Sequence, residues 1–243
     1  VMCGCSLKWC GVGIMSILPR VQAKPVVLRE RNSFRPRSKG VTWEQSIAAQ
    51  ITKSASRQTY YTIRLLVDRD RVADAFRAYG YFRWVDDMLD QTLTDDDERL
   101  AFLARQQALV TCFYRGGTVC ASTVEEQLLF ALIRADNGQD DRLRSYIDHM
   151  FRVMEIDVHR RHEFISQAEL NDYSWHLAVA VTDAMHYFIG HNDPIRGGNE
   201  RYDAVIAAHI THLLRDSFED TAAGYFNIPT EWAKASEARD LQS

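Results

Sequence analysis

The sequence predicts an all-α protein, a single helical domain around a central cavity. Three observations lead to this prediction. From residue 43 onward apolar side chains recur with the helical period, and no alternating, strand-like run persists. All five prolines lie within the first 36 residues or after residue 190, so none interrupts a helix in between. A chain of 243 residues can bury one sizeable core.

Eight helices are expected along this body, separated by short turns. Gly116-Gly117, Asn137-Gly138 and Asn192-Asp193-Pro194 carry the residues that favour turns. The helices are expected near residues 43–54, 58–67, 70–91, 96–115, 123–135, 140–161, 167–190 and 199–223.

Polar residues at several predicted helix starts are suited to cap them. Thr42-Trp43-Glu44-Gln45 has the pattern of a capping box at the first helix. Asp68 or Asp70 is expected to cap the third helix, and Ser166 the seventh. The acidic run Asp95-Asp96-Asp97-Glu98 fits the positive end of a helix dipole, so we expect a solvated helix start there rather than a metal site.

Charge divides the chain into two parts. Residues 1–40 carry eight basic side chains and one acidic side chain, whereas acidic residues outnumber basic ones in 41–243. An acidic body argues against a nucleic-acid partner. For residues 1–40 three interpretations stay open: a transit-like peptide, a disordered basic arm, or upstream sequence that is not native. We favour the third, which makes 41–243 the helical domain.

Cysteine usage and hydropathy indicate a reducing, aqueous compartment. Five cysteines, an odd number, do not predict a disulfide scaffold, and Cys112 and Cys120 are expected to be buried thiols. No run of 18 or more apolar residues is present, so no membrane-spanning helix is predicted. We therefore expect a cytoplasmic protein.

Two pairs of aspartates define the candidate site. Asp86 and Asp90 lie four residues apart on the third predicted helix, and Asp216 and Asp220 lie four apart on the eighth. Residues at i and i+4 share a helix face, where like charges destabilise an isolated helix by roughly 0.2–0.5 kcal/mol per pair. A cation between the carboxylates removes this cost, and Mg²⁺ binds through one or two carboxylates together with substrate phosphates. The two pairs therefore indicate diphosphate chemistry.

Both pairs lie in longer motifs that resemble those of the squalene/phytoene synthase family, the head-to-head prenyl synthases. The first is Tyr79-x-x-x-Arg83-x-x-Asp86-Asp87-x-x-Asp90, and the second is Leu214-Arg215-Asp216-x-x-Glu219-Asp220, followed by Gly224 and Pro229. Two further segments are similar to the family pattern, namely Arg57-Gln58-Thr59-Tyr60-Tyr61 and Glu169-Leu170-x-x-Tyr173 with Leu177-Ala178. The resemblance covers roughly residues 54–232.

The resemblance implies an isoprenoid-synthase-type helical bundle and a Mg²⁺-dependent transferase, with Mn²⁺ as an alternative metal. Two farnesyl or geranylgeranyl diphosphates would condense through a cyclopropyl diphosphate to a C30 or C40 isoprenoid, whose release makes peripheral membrane contact a further expectation. Four carboxylates would bind the metal: Asp86, Asp90, Asp216 and Asp220. These four would act in catalysis with Arg83 and Tyr79. Substrate binding is assigned to Tyr60, Arg215, His212, Tyr173, Leu177 and Val181.

Departures from the family pattern bear on the product. Ala178-Val179-Ala180-Val181-Thr182 stands where the family has glycines, which narrows the channel. His209 and His212 replace a glutamine and an asparagine. Tyr225-Phe226-Asn227-Ile228-Pro229 lacks an arginine and a tyrosine of the family, which leaves NADPH-dependent reduction open. Because the family continues with further helices after this proline, we interpret the chain as incomplete at its C-terminus.

Two other functions stay open. A class I terpene cyclase would share the first aspartate motif, and a family member kept as an assembly or interaction protein would keep the fold without catalysis. Outside the motifs, His159-Arg160-Arg161-His162 is expected to be a solvated helix end, and Asp157 is expected to face the cavity.

Overall fold

The computed structural model describes residues 43–117, 121–136, 141–190, 197–222 and 224–232, and within them the protein is an all-α bundle, as predicted. A π-helical turn, Met88–Thr92, follows α3, and a 3₁₀ turn, Asn199–Tyr202, leads into α8. The helices are Trp43–Ala55 (α1), Arg57–Leu66 (α2), Val72–Asp87 (α3), Asp96–Tyr114 (α4), Val124–Asp136 (α5), Asp141–His159 (α6), Gln167–Ile189 (α7) and Asp203–Ala222 (α8).

Some predictions concern parts of the chain outside the described residues. These are the interpretations of residues 1–40, the Thr42 cap, Cys120, and the turns at Asn137-Gly138 and Asn192-Asp193-Pro194. Cys112 is described, and it is half-buried rather than buried.

Two of the predicted caps are confirmed and one is wrong. The Ser166 hydroxyl accepts a hydrogen bond from the Glu169 amide, and the Glu169 carboxylate accepts one from the Ser166 amide, which completes a capping box at α7. The Asp95 carboxylate accepts from the Glu98 amide at the start of α4. At α3, however, Arg71 occupies the cap position without a side-chain bond. Asp68 instead uses its backbone, which accepts from the Arg71 amide and donates to the Phe188 carbonyl.

α3 is the central helix of the bundle and packs against α1, α2, α5 and α7. An aromatic cluster holds its buried face in place: Phe82 is fully buried and lies edge-on to Tyr146, with Tyr81 and Phe151 adjacent. Rings at these separations interact favourably beyond the area that they bury. The packing therefore fixes the orientation of the helix that carries the first aspartate motif.

The third predicted helix does not stay α-helical to its end. The Leu93 amide bonds to the Met88 carbonyl at 2.9 Å, an i to i+5 bond that widens the last turn. Arg99 of α4 is buried and donates to the carbonyls of Leu89 (2.9 Å) and Leu93 (2.8 Å). Asp90 lies inside this turn, so α4 helps to set its position.

The segment after α8 folds back onto the end of α6. The Gly224 carbonyl accepts from the His162 amide at 2.9 Å, and Phe164 and Phe226 form an isolated parallel bridge with stacked rings 4.5 Å apart. Gly224 has φ +88°, which glycine adopts without strain. This turn carries Asn227 to the C-terminal end of α6.

Among the described residues, no helix combines the length and the apolar composition that are required to cross a bilayer.

Candidate active site

The Asp86 carboxyl is fully enclosed within the first motif. The residue has 0% exposure, and neither of its carboxylate oxygens accepts a hydrogen bond. Its ion pair with Arg83 spans 3.4 Å. Burial, and then repulsion from Asp90, raises the pKa of Asp86 well above its ordinary value. Two buried oxygens without donors form an unusual and costly arrangement, which a bound cation would relieve.

Arg83 lies over the first motif and bonds more tightly to Asp87 than to Asp86. Its guanidinium donates to the Asp87 carboxylate at 2.5 Å, and that carboxylate also accepts from Gln91 at 3.0 Å. Tyr79, one turn before Arg83, is buried, and burial raises the pKa of its phenol. In this state Arg83 neutralises its own motif.

The prediction of a solvated helix end at 159–162 is confirmed for His159 and His162, which are exposed, and wrong for Arg160 and Arg161, which turn inward. Arg161 has a side chain that is only 20% exposed, and its Nη2 donates to Asp90 Oδ1 at 3.0 Å. The end of α6 lies against the π-turn, so a guanidinium placed there reaches the first motif directly. The Nε of Arg161 is buried and has no hydrogen-bond partner.

Arg160 is enclosed by aromatic rings and by Asp157. Its Nε donates to Asp157 Oδ1 at 2.6 Å, and the hydroxyl of Tyr173 donates to the other carboxylate oxygen at 3.2 Å. The guanidinium lies over the rings of Tyr173 (4.6 Å) and Tyr225 (5.0 Å). Asp157 is 2% exposed and faces this cluster of Arg160 and Tyr173; that it also lines a cavity stays a prediction.

The second motif joins the same cluster through Asn227. Arg160 Nη1 donates to the Asn227 side-chain oxygen, and the Asn227 amide donates to Asp220 Oδ2 at 2.8 Å. Arg215 is half-exposed and binds Asp216 on its own helix through two bonds of 2.8 and 3.1 Å. Asp220 therefore lies nearer to the end of α6, while Asp216 is held by its neighbour.

A series of hydrogen bonds and cation–π contacts links one aspartate of each motif through the arginine pair. Arg161 bonds to Asp90 and lies 5.6 Å from the centre of the Tyr225 ring. Arg160 lies over the same ring at 5.0 Å and is linked through Asn227 to Asp220. Asp86 lies close enough to Asp90 and Asp157 for both carboxylates to raise its pKa. The series does not include Asp216, which pairs with Arg215 on its own helix.

Three of the predicted substrate-binding residues form an apolar group beside this line. Leu177 and Val181 of α7 are buried and pack with Val153 and Tyr173. Tyr173 joins this group to Asp157, so its ring separates apolar from charged surroundings. Tyr60 lies elsewhere, on α2, where it stacks on Phe76 of α3 at 5.4 Å.

The two histidines of α8 have different surroundings. His209 is buried, its ring lies 4.9 Å from the Tyr173 ring, and its Nε2 has no hydrogen-bond partner. Burial, followed by the positive charge of Arg160, lowers the pKa of His209 to about 3, so the imidazole is neutral at pH 7. His212 is more exposed and has its Nδ1 3.0 Å from Arg215 Nη2.

The donor set fits a magnesium ion that is shared with a substrate, and not a site built from protein alone. No group of three or more His, Cys, Asp or Glu side chains in the described ranges is arranged to bind a metal ion. Asp86 and Asp90 nevertheless supply neighbouring carboxylates, one of them with both oxygens lacking donors. Mg²⁺ commonly takes one or two carboxylates and completes its shell with water and phosphate oxygens.

Sequence reasoning missed the residues that connect the motifs. Arg160, Arg161 and Asn227 were not assigned to the site, although Asp157 was expected to face inward. The available signal was an aspartate on an apolar helix followed after three and four residues by arginines. Such spacing places a guanidinium next to the carboxylate on one helix face.

Comparison with known proteins gives one finding. A family model described as squalene/phytoene synthase matches residues 52–242, whereas neither a curated protein nor a solved structure matches. The matched range covers more than half of the chain and includes both acidic motifs, the end of α6 and the returning segment. The chain belongs to the squalene/phytoene synthase family.

Proposed function

We propose that this protein condenses two prenyl diphosphates, farnesyl or geranylgeranyl, head-to-head through a cyclopropyl diphosphate to a C30 or C40 isoprenoid. Family membership supports a prenyl transfer reaction. The observation that carries the proposal is the connection of both acidic motifs, from Asp90 to Asp220, around the arginine pair at the end of α6. Carboxylates and arginines in one cluster are the groups that bind a magnesium diphosphate.

The charged cluster would hold the diphosphate while the C1–O bond of one substrate breaks. The bonding electron pair leaves with the diphosphate, and guanidinium groups such as Arg83 and Arg161 stabilise the charge that develops there. The double bond of the second substrate then attacks the allylic cation, and loss of a proton closes the cyclopropane ring. Positions for two anions are consistent with two separate acidic motifs.

Magnesium would be held by Asp86 and Asp90 from the first motif and by Asp216 and Asp220 from the second; manganese is the alternative. When bound, the metal supplies Lewis-acid neutralisation of the leaving diphosphate. Reduction by NADPH would be an additional step, and the product assay with and without NADPH tests it.

The apolar group formed by Leu177 and Val181 would bind the prenyl chain and exclude water from the cation. Burial of these side chains beside Tyr173 supports this assignment, since an aromatic ring stabilises a nearby cation.

The proposed product is a hydrocarbon that is poorly soluble in water, so its release would require contact with a membrane. The outer face of α2, where Tyr61, Leu65 and Leu66 are exposed, supports peripheral contact with a membrane from a cytoplasmic location.

A product assay tests the proposal. The protein is incubated with Mg²⁺ and farnesyl or geranylgeranyl diphosphate, with and without NADPH, and the extract is analysed by mass. We expect a C30 or C40 product that Asp86→Asn and Asp220→Asn each reduce by at least about 100-fold, a loss typical of removing a charge-stabilising group. Asp97→Asn, an exposed aspartate outside the motifs, is the matched control and should keep full activity.

A second function is favoured by one observation. Three arginines form ion pairs with carboxylates of the two motifs, namely Arg83, Arg161 and Arg215. An assembly or interaction protein of this family could keep these ion pairs because they stabilise the fold. Binding of Mg²⁺ and diphosphate without any product would favour this reading. A cyclised C15 or C20 product would instead favour a class I terpene cyclase.

A further inference from the structure

We propose that Arg161 is a diphosphate-binding residue that exchanges the Asp90 carboxylate for the diphosphate, and that this exchange makes magnesium and diphosphate bind cooperatively. The inference rests on the proposed function, because it names a residue of the same site.

The first observation is an unused donor. Arg161 has a half-buried guanidinium whose Nη2 bonds to Asp90 at 3.0 Å, whereas its buried Nε has no hydrogen-bond partner. A buried donor without an acceptor is rare and costly in native proteins. A phosphate group presents several oxygens to the fork of a guanidinium and can accept from two of its nitrogens together. Diphosphate would therefore satisfy Nε as well as Nη2.

The second observation is competition for Asp90. The carboxylate faces Arg161 in the ligand-free protein, and it is also the neighbour of Asp86, with which it would bind magnesium. An oxygen that accepts from a guanidinium is a poorer metal ligand, so magnesium alone must displace the arginine. If diphosphate takes Arg161, the Asp90 oxygen becomes available to the metal.

The third observation concerns neighbouring cations. Arg160 lies one residue earlier, but it is enclosed by Asp157 and by the rings of Tyr173 and Tyr225. Moving Arg160 would leave Asp157 buried without its cation, which is strongly unfavourable. Arg161 also pairs with a buried carboxylate, since the Asp90 side chain is 6% exposed, but a metal bound beside Asp86 would replace the guanidinium there, and Asp157 has no such replacement. Arg161 is therefore the member of the pair that is able to change partners.

Thermodynamic linkage predicts how each ligand changes the affinity of the protein for the other. If diphosphate binding frees Asp90, then magnesium strengthens diphosphate binding by the same factor by which diphosphate strengthens magnesium binding. Removal of the Arg161 guanidinium should act in opposite directions on the two ligands. It should weaken diphosphate binding and strengthen magnesium binding to the otherwise free protein. A merely structural residue would weaken both.

The test measures binding by calorimetry with Arg161→Gln in the full chain. The probes are inorganic pyrophosphate in EDTA, Mg²⁺ alone, and pyrophosphate at saturating Mg²⁺. We expect pyrophosphate binding to weaken about 10- to 100-fold, the effect of one charge-assisted hydrogen bond, Mg²⁺ binding to tighten, and the coupling factor to fall toward one. Arg152→Gln is the control, since Arg152 is a half-exposed arginine of α6 that pairs with Glu155 at 3.0 Å.

Arg161→Lys serves as a second variant in case the glutamine variant does not fold. A lysine keeps the charge and can still pair with Asp90, but it cannot bond through two nitrogens of a planar fork, so pyrophosphate binding should still weaken while Mg²⁺ binding stays close to that of the unmodified protein. Unchanged pyrophosphate binding, or Mg²⁺ binding that weakens in parallel, overturns the inference while the proposed function stands. Absence of pyrophosphate binding by the unmodified protein with Mg²⁺ overturns both.

Discussion

At the scale of single residues, Asp86 carries a cost that a bound cation would relieve. A carboxyl group with 0% exposure and no hydrogen bond to either oxygen is unfavourable in the folded protein. Catalytic and binding sites commonly retain such groups at the expense of stability. The partial neutralisation by Arg83 at 3.4 Å does not replace the missing donors.

Replacing this carboxyl should therefore stabilise the protein. We expect Asp86→Asn to raise the free energy of unfolding by about 1–2 kcal/mol at pH 7, because burial beside Asp90 raises the pKa of the carboxyl and an amide does not carry the cost of that shift. Urea denaturation monitored by circular dichroism measures the change, with Asp97→Asn as an exposed control. A loss of stability of similar size would show that Asp86 has a stabilising role in the free protein.

Glu126 is also a buried carboxylate, but in contrast to Asp86 both of its oxygens accept hydrogen bonds. It accepts from the Arg105 guanidinium, from the Gln106 amide at 3.1 Å, and from the amide and hydroxyl of Ser122 at 2.7 and 2.9 Å. Gln106 in turn accepts from the hydroxyl of Tyr81 at 2.9 Å. Burial alone would raise the pKa of Glu126, but these donors outweigh it and lower the pKa to about 2. The network joins α3, α4 and α5.

This network predicts a specific acid sensitivity. Because the pKa of Glu126 is lower in the folded protein than its ordinary value of 4.5, the ionised group stabilises the fold above that pH. The contribution is lost as the pH falls from about 4.5 to about 2. We expect Glu126→Gln to lower the free energy of unfolding by about 3 kcal/mol at pH 7 and to flatten its decline between pH 5 and pH 2.

Unfolding free energies measured across that pH range decide this prediction. Glu125→Gln changes the neighbouring glutamate on the same helix, outside the network, and serves as the control. If the unfolding free energy of Glu126→Gln declined between pH 5 and pH 2 as steeply as that of the unmodified protein, other groups would be responsible for the acid sensitivity.

At the scale of secondary-structure elements, the turn at Gly224 determines whether the second motif reaches α6. A Cβ at this position would meet the His162 ring nitrogen at 2.4 Å, and its φ of +88° disfavours other residues. Gly116 has a similar φ of +82° but open space around its Cβ position. A side chain at Gly116 would therefore cause backbone strain alone, whereas one at Gly224 would cause backbone strain and a steric clash.

Alanine substitutions at both glycines should reveal this difference. We expect Gly116→Ala to lower the free energy of unfolding by about 1 kcal/mol through backbone strain alone. Gly224→Ala should cost more and should also weaken magnesium-dependent pyrophosphate binding, because the segment that carries Asn227 shifts from α6. Thermal melts and calorimetry test both effects; equal losses in the two variants, with binding intact, would contradict the role of this turn.

The elements differ in how far the sequence predicted them. Helical periodicity located the eight α-helices of the described residues, because an amphipathic face is a local property of the sequence. The capping box at Ser166 was predicted for the same reason. The π-turn at Met88–Thr92 was not, since it depends on Arg99 of another helix bonding to the carbonyls of Leu89 and Leu93. The cap expected at Asp68 or Asp70 failed because Asp68 bonds to the end of α7 through its backbone.

At the scale of the whole molecule, the site depends on contacts between distant parts of the chain. Local spacing identified both aspartate pairs, Asp86 with Asp90 and Asp216 with Asp220, as candidate metal ligands, and the resemblance added the roles of the residues around them. The bonds that join them, from Asp90 to Arg161 and from Asp220 to Asn227, involve the end of α6 and the returning segment. Helix-end arginines usually face solvent, so only the packing of α6 against the π-turn reveals their role.

In the proposed site, both acidic motifs and the arginine pair hold one magnesium diphosphate. A crystal structure with Mg²⁺ and a prenyl thiodiphosphate shows whether they do. We expect diphosphate oxygens bonded to Arg161, with Asp90 released to the metal and Asp86 beside it. A diphosphate bound away from the end of α6, or an Arg161–Asp90 pair that stays intact beside the bound metal and ligand, would rule this site out.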